Sequence, residues 1–171
     1  PVGKVDRMTL YPLDFEEFLW AVGLKPMAEM IREAHQGFTP LSLHDTALDL
    51  YREYLVTGGM PQPVRTFVET QDFNFVLASQ KALNNAYIAD MTKYAAPQET
   101  VRIMAAWGSI PAQLSKENHK FQYRVIRSGA RAHDYEMPLQ GLEAAGVINR
   151  CVRVSEGKVP LTAFADPGAF K

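Results

Sequence analysis

Apolar residues recur every three or four positions through most of the first hundred residues, the period of helices with one buried face. Phe15, Phe18, Leu19 and Val22 share one stripe. Asp14 and Glu17 precede and enter it at capping-box spacing, with Asp in place of the usual Ser or Thr. A second helix is expected near residues 27 to 35, ending at Gly37. Ser42 is placed to cap a third, in which Leu43, Ala47, Leu50, Tyr51, Tyr54 and Leu55 recur until Gly58-Gly59 end it. Pro61 and Pro63 suit the first turn of a fourth, with Val64, Phe67 and Val68 as its short apolar face. The longest stripe, Phe73, Val76, Leu77, Leu83, Tyr87, Met91 and Tyr94, runs from 72 to 95 and stops before Pro97. Short connections between these stripes describe a helical bundle. Ahead of them, Val5 to Leu10 alternates loosely and predicts one short strand, stopped by Tyr11-Pro12.

The last third changes character. Two helical stretches, 99 to 116 and about 120 to 126, lead to Ser128-Gly129 and a third with Ala132, Tyr135, Leu139 and Leu142 on its apolar face. Residues 147 to 154 and 159 to 164 then read as strands joined by the turn Ser155-Glu156-Gly157-Lys158. Three helices followed by a β-hairpin is the order of a winged helix. Pro138 lies inside the third helix, where its missing donor is expected to kink or shorten it. The expected fold class is mainly α, a helical bundle followed by a winged helix.

Composition narrows the classes further. The chain has 171 residues, 47% hydrophobic and 22% charged, an ordinary globular balance that argues against disorder. No apolar run approaches the roughly 18 residues of a membrane-spanning helix, and no basic-then-hydrophobic leader opens the chain, so a cytoplasmic protein is expected. A single cysteine, Cys151, excludes an internal disulfide and reads as a small buried hydrophobe on a strand. A net charge of −1 gives no overall pull toward nucleic acid or acidic lipid, so any such binding needs a local patch. The start at Pro1 and the end at Phe170-Lys171 read as the borders of a piece cut from something longer.

No phosphate-binding loop is present. That loop needs Gly-Lys followed by Ser or Thr, and Val follows both Gly3-Lys4 and Gly157-Lys158. One local patch is basic: Lys116, Lys120, Arg124, Arg127 and Arg131 stand against Glu117 alone, with Phe121 and Tyr123 interleaved. Arg124, Arg127 and Arg131, if on one helical face, suit phosphates in a sequence-independent, salt-dependent contact. Asp134, Glu136 and Glu143 on the following helix oppose this by repelling phosphate. His35, His44, His119 and His133 are scattered without metal-ligand spacing, so no metal site is expected. Ser155-Glu156-Gly157-Lys158 matches the Ser-x-x-Lys nucleophile motif only by letter, since that motif opens a buried helix.

Two strings carry a resemblance: Leu10-Tyr11-Pro12-Leu13-Asp14-Phe15-Glu16-Glu17-Phe18-Leu19, and Tyr51-Arg52-Glu53-Tyr54-Leu55-Val56-Thr57-Gly58-Gly59-Met60-Pro61. Tyr87-Ile88-Ala89-Asp90 and the stretch 139 to 148 add to them. Together they resemble bacterial and archaeal AAA-type ATP-binding proteins of unknown function. In those, a P-loop domain is followed by a helical lid, a winged helix and a carboxy-terminal domain resembling restriction endonucleases. The resemblance implies that 1–13 holds the last strand of the ATPase core, 14–96 the lid and 97–171 the winged helix. The phosphate loop, the acidic strand and the nuclease-like domain would be partners outside these residues. ATP would be the parent's cofactor, bound only weakly here. Related ATPases carry a Gly-x-Pro motif at the lid that contacts adenine, and Gly59-Met60-Pro61, with Gly58 before it, matches that motif. Glycine admits close approach of a base and proline offers a rigid apolar face. The spacing alone supports a simpler role, a glycine pair ending one helix and a proline starting the next. The resemblance thus implies a non-catalytic, nucleotide-sensing segment; a winged-helix DNA-binding module and an interdomain scaffold are the other readings.

Overall fold

A computed structural model describes residues 3 and 6 and residues 8–93, 95–117 and 120–171. The chain is mainly helical with one small antiparallel sheet. It divides into two compact units, 1–84 and 85–171, the division falling inside a helix, while Pro97 opens the next one.

In the first unit, α1 (Phe15–Ala21) starts with the capping box in full. The Glu17 amide donates to Asp14 Oδ1 at 2.9 Å and the Asp14 amide to Glu17 Oε2 at 3.0 Å. Adjacent residues on α1 feed two cores. Phe18 packs with Val64, Phe67 and Val76, and Leu19 with Met27, Ala28 and Ala47. Full burial of each of the larger ones, such as Phe18, Leu19 or Phe67, is worth about 1.5–3 kcal/mol. α2 (Lys25–Gly37) ends where Phe38 takes a left-handed φ of 49°. α3 (His44–Thr57) begins one residue later than a Ser42 cap requires. Leu43 occupies the cap position and no side chain caps the helix. α4 (Pro61–Thr70) follows, and α5 (Phe73–Thr92) begins beside Asp72, whose carboxylate accepts the Asn74 amide at 2.8 Å. The long stripe expected on α5 is only partly used. Val76 is buried, Phe73 and Leu77 are exposed, and Tyr94 lies outside the described residues.

Of the strand expected at 5–10, Val5 and Arg7 lie outside the described residues. Asp6 and the stretch 8–10 form no strand, since no strand among the described residues offers them a ladder, and Met8 and Leu10 are exposed.

The second unit is built from α6 (Pro97–Leu114), α7 (Tyr123–Ile126), α8 (Ala132–Ala144), β1 (Val152–Val154) and β2 (Ala165–Phe170). Ile103 and Ala106 of α6 meet Tyr135, Leu139 and Leu142 of α8 and Phe170 of β2 in one core. Pro138 does not shorten α8. The ring is itself buried in this unit, and packing along the same face offsets the missing backbone bond. The buried Gln113 amide clasps the chain before α7, donating to Gln122 O at 2.8 Å and accepting from Gln122 N at 3.0 Å.

The hairpin differs from expectation. β1 covers only the end of 147–154, and its antiparallel partner is β2, not residues 159–164. Pro160 has no donor for a ladder, and Leu161–Phe164 curls into a 3-10 turn. Pairing runs Val154 to Ala165, Arg153 to Asp166 and Val152 to Phe170, so residues 167–169 bulge out. Asp166 organises this bulge, accepting the Gly168 amide at 3.1 Å and Arg153 at 2.5 Å. Cys151 lies just before β1 and is exposed rather than buried, because a two-stranded sheet leaves this edge open, every β1 residue being exposed as well.

Candidate functional site

The turn between α3 and α4 is assembled from three separate stretches. Gly58 takes φ +73° and ψ 177°, a conformation essentially confined to glycine, while its amide still donates to Tyr54 O at 2.7 Å. Gly59 is required for a different reason: a Cβ there would lie 2.1 Å from Leu13 O. The Leu13 amide donates to Gly59 O at 2.7 Å, and Leu13 O accepts the Tyr54 hydroxyl at 2.9 Å. The Gln80 amide donates to Val56 O at 2.8 Å and Thr57 O at 2.9 Å, satisfying carbonyls that the end of α3 leaves without helical partners.

Aromatic rings back the turn. Tyr54 lies 5.7 Å from Phe15 and 5.5 Å from Phe18, and Phe18 stacks on Phe67 at 5.9 Å. Burial, then the negative charges of Asp14, of an ionised Tyr51 and of Glu17, push the Tyr54 hydroxyl above its ordinary value of 10.0. The backbone of Gly59 is thus occupied by Leu13. Met60 is half-buried and Pro61 exposed, and these two offer the surface left for a ligand.

The basic residues do not share one helix. Arg124 is on the four-residue α7 and bonds Gln122 Oε1 at 3.0 Å, Arg127 is extended just past that helix, and Arg131 caps α8. Gly129, at φ +76°, turns the chain between them. Lys120, Arg124, Arg127 and Arg131 are exposed, and Lys116 is half-buried.

Arg150 was not foreseen in any role, yet it neutralises Glu136 and Glu143 of α8. Its guanidinium bonds Glu143 Oε2 at 2.7 Å and Glu136 Oε1 at 3.2 Å, and lies 5.5 Å over the Phe170 ring. The Glu143 hydrogen bond raises its pKa against the opposing effect of burial, with Glu136 adding to the rise. The signal was present as two glutamates seven residues apart on one helical face. Asp134 lies 3.9 Å from Arg102.

These elements define a mainly helical protein whose second unit closes with a bulged antiparallel pair, among whose described residues no helix is long and apolar enough to cross a membrane. The chain belongs to the family described as a domain of unknown function (DUF8612), whose model matches residues 48–169. No curated protein and no solved structure matches it.

Proposed function

We propose that the chain is the non-catalytic lid and winged-helix portion of an AAA-type ATP-binding protein, one that senses nucleotide and couples that state to neighbouring domains. The observation that carries the reading is the turn at Gly58-Gly59-Met60-Pro61. Its candidate ligand surface, Met60 and Pro61, is continuous with a backbone bond from Gly59 to Leu13. A base resting on Pro61 would bias the path of residues 8–13, and hinge-type coupling needs such a mechanical link. The order α6, α7, α8 and then the pair β1 and β2 supports the winged-helix part.

ATP given to this chain is expected to produce no phosphate release. Adenine nucleotide should shift the Met60 amide resonance, saturating only at about millimolar concentration, and Pro61→Ala should abolish the shift. Phosphate release above background in the purified chain would overturn the reading, as would nucleotide shifts confined to other residues.

A second reading, a winged-helix DNA-binding module, draws on Arg150. Pairing Glu136 and Glu143 with this cation removes much of the acidic repulsion beside the basic residues 116–131.

A further inference from the structure

We propose that the second unit carries a binding site for a small uncharged molecule, an apolar body bearing one hydrogen-bonding head, in the cavity between α6, α8 and the end of β2. The cavity measures about 320 Å³, and an apolar cavity of about half that size already holds a benzene ring. Its wall is mostly hydrocarbon: Leu139 is 1% and Phe170 6% exposed, and half-buried Ile110, Val147 and Ile148 extend the same surface. An apolar body gains by leaving water for that surface.

The head is set by what the polar part of the wall has left to offer. Of the cations there, Arg150 is held by Glu136 and Glu143, and Lys120 and Lys171 each interact within the chain. An ionic head would therefore lose hydration without gaining an opposite charge. Two neutral amides, Gln113 and Asn149, line the same cavity. Gln113 is only 8% exposed and uses one N–H on Gln122 O and one lone pair on Gln122 N, which leaves a second N–H and a second lone pair. Asn149 is exposed and makes no side-chain hydrogen bond among the described residues. An uncharged head that both donates and accepts, such as a carboxamide, complements these amides. The assignment is independent of the nucleotide reading, which concerns the other unit.

The test titrates the full chain with benzamide and with its near-isosteric ions benzoate and benzamidinium, and follows backbone amide resonances. Benzamide should shift Leu139, Ile148 and Phe170 saturably, and each ion should bind about ten-fold more weakly, the scale of one polar group left unpaired. Asn149→Leu, at an exposed position, should weaken benzamide about five-fold, the net worth of one hydrogen bond. Leu114→Trp, at an exposed lining position that leaves the core intact, should abolish binding while circular dichroism stays unchanged. Either ion binding as tightly as benzamide would overturn the proposal. So would the absence of a saturable benzamide shift, shifts centred on Met91 and Gly141 of a separate cavity, or benzamide affinity that both variants leave intact.

Discussion

Gly58 and Gly59 are adjacent and serve opposite purposes. The first is needed for its own backbone angle, with nothing within 4 Å of an added Cβ; the second is needed because Leu13 occupies the space of a side chain. Gly58→Ala should therefore cost about 1–3 kcal/mol through strain alone. Gly59→Ala should cost more, about 3–4 kcal/mol, because it breaks the bond to Leu13 as well. Urea denaturation ranks the two, and only Gly59→Ala should speed hydrogen exchange at the Leu13 amide. The sequence showed that glycine was required at this turn, but not that residue 13 filled the space, since a backbone contact across more than forty positions leaves no periodic trace. Tyr54, which closes the same contact, has a pKa raised above 10.0 in the fold. The folded state then holds its proton more tightly than the unfolded one. That contribution is complete below pH 10.0 and is lost as pH rises through the folded-state value. Stability measured from neutral pH upward should fall in this alkaline window, and Tyr54→Phe should flatten the fall while costing about 1 kcal/mol at neutral pH.

Among the elements, helices were legible, β1 was legible only as the end of 147–154, and β2 was not. Phe15, Phe18 and Leu19 announced α1 because a helix buries residues three and four apart, and Asp14 with Glu17 marked its start. β2 escaped because Asp166-Pro167-Gly168 reads as a turn; its pairing rests on backbone geometry and on the Asp166 carboxylate, neither of which has a hydrophobic period. Residues 159–164 have the composition of a strand, but Pro160 denies them the ladder. Pro138 misled in the other direction, because one lost helical bond weighs less than the packing of Tyr135, Leu139 and Leu142 on the same helix. The Arg150 cluster ties α8 to the segment before β1, and burial of Tyr123, with Glu136 nearby, raises that phenol's pKa while Arg150 lowers it. Arg150→Met should destabilise the chain by about 1–2 kcal/mol, discounted because both glutamates are partly exposed. Adding Glu143→Gln should recover part of that loss in a double-mutant cycle read by urea denaturation.

For the whole molecule, a near-neutral total conceals segregated charge, with cations gathered at 116–131 and Glu136 and Glu143 of α8 held by Arg150. If the DNA-binding reading holds, fluorescence anisotropy with any duplex should show affinity falling steeply with salt. Arg124→Ala with Arg127→Ala should then reduce the slope of log affinity against log salt by about 2. Absence of binding at low salt removes that reading. Among the described residues the apolar core of the second unit includes Phe170 of β2, so the chain is sensitive to cutting there. Phe170 is buried, stacks on Phe121 at 5.1 Å and accepts the Phe121 amide at 2.7 Å, while Lys171 exchanges two backbone bonds with Cys151. A recombinant version trimmed after Phe164, where the pattern of strand-forming residues stops, would discard half of the sheet and a keystone of the interior. An affinity tag belongs beyond Lys171, behind a flexible spacer.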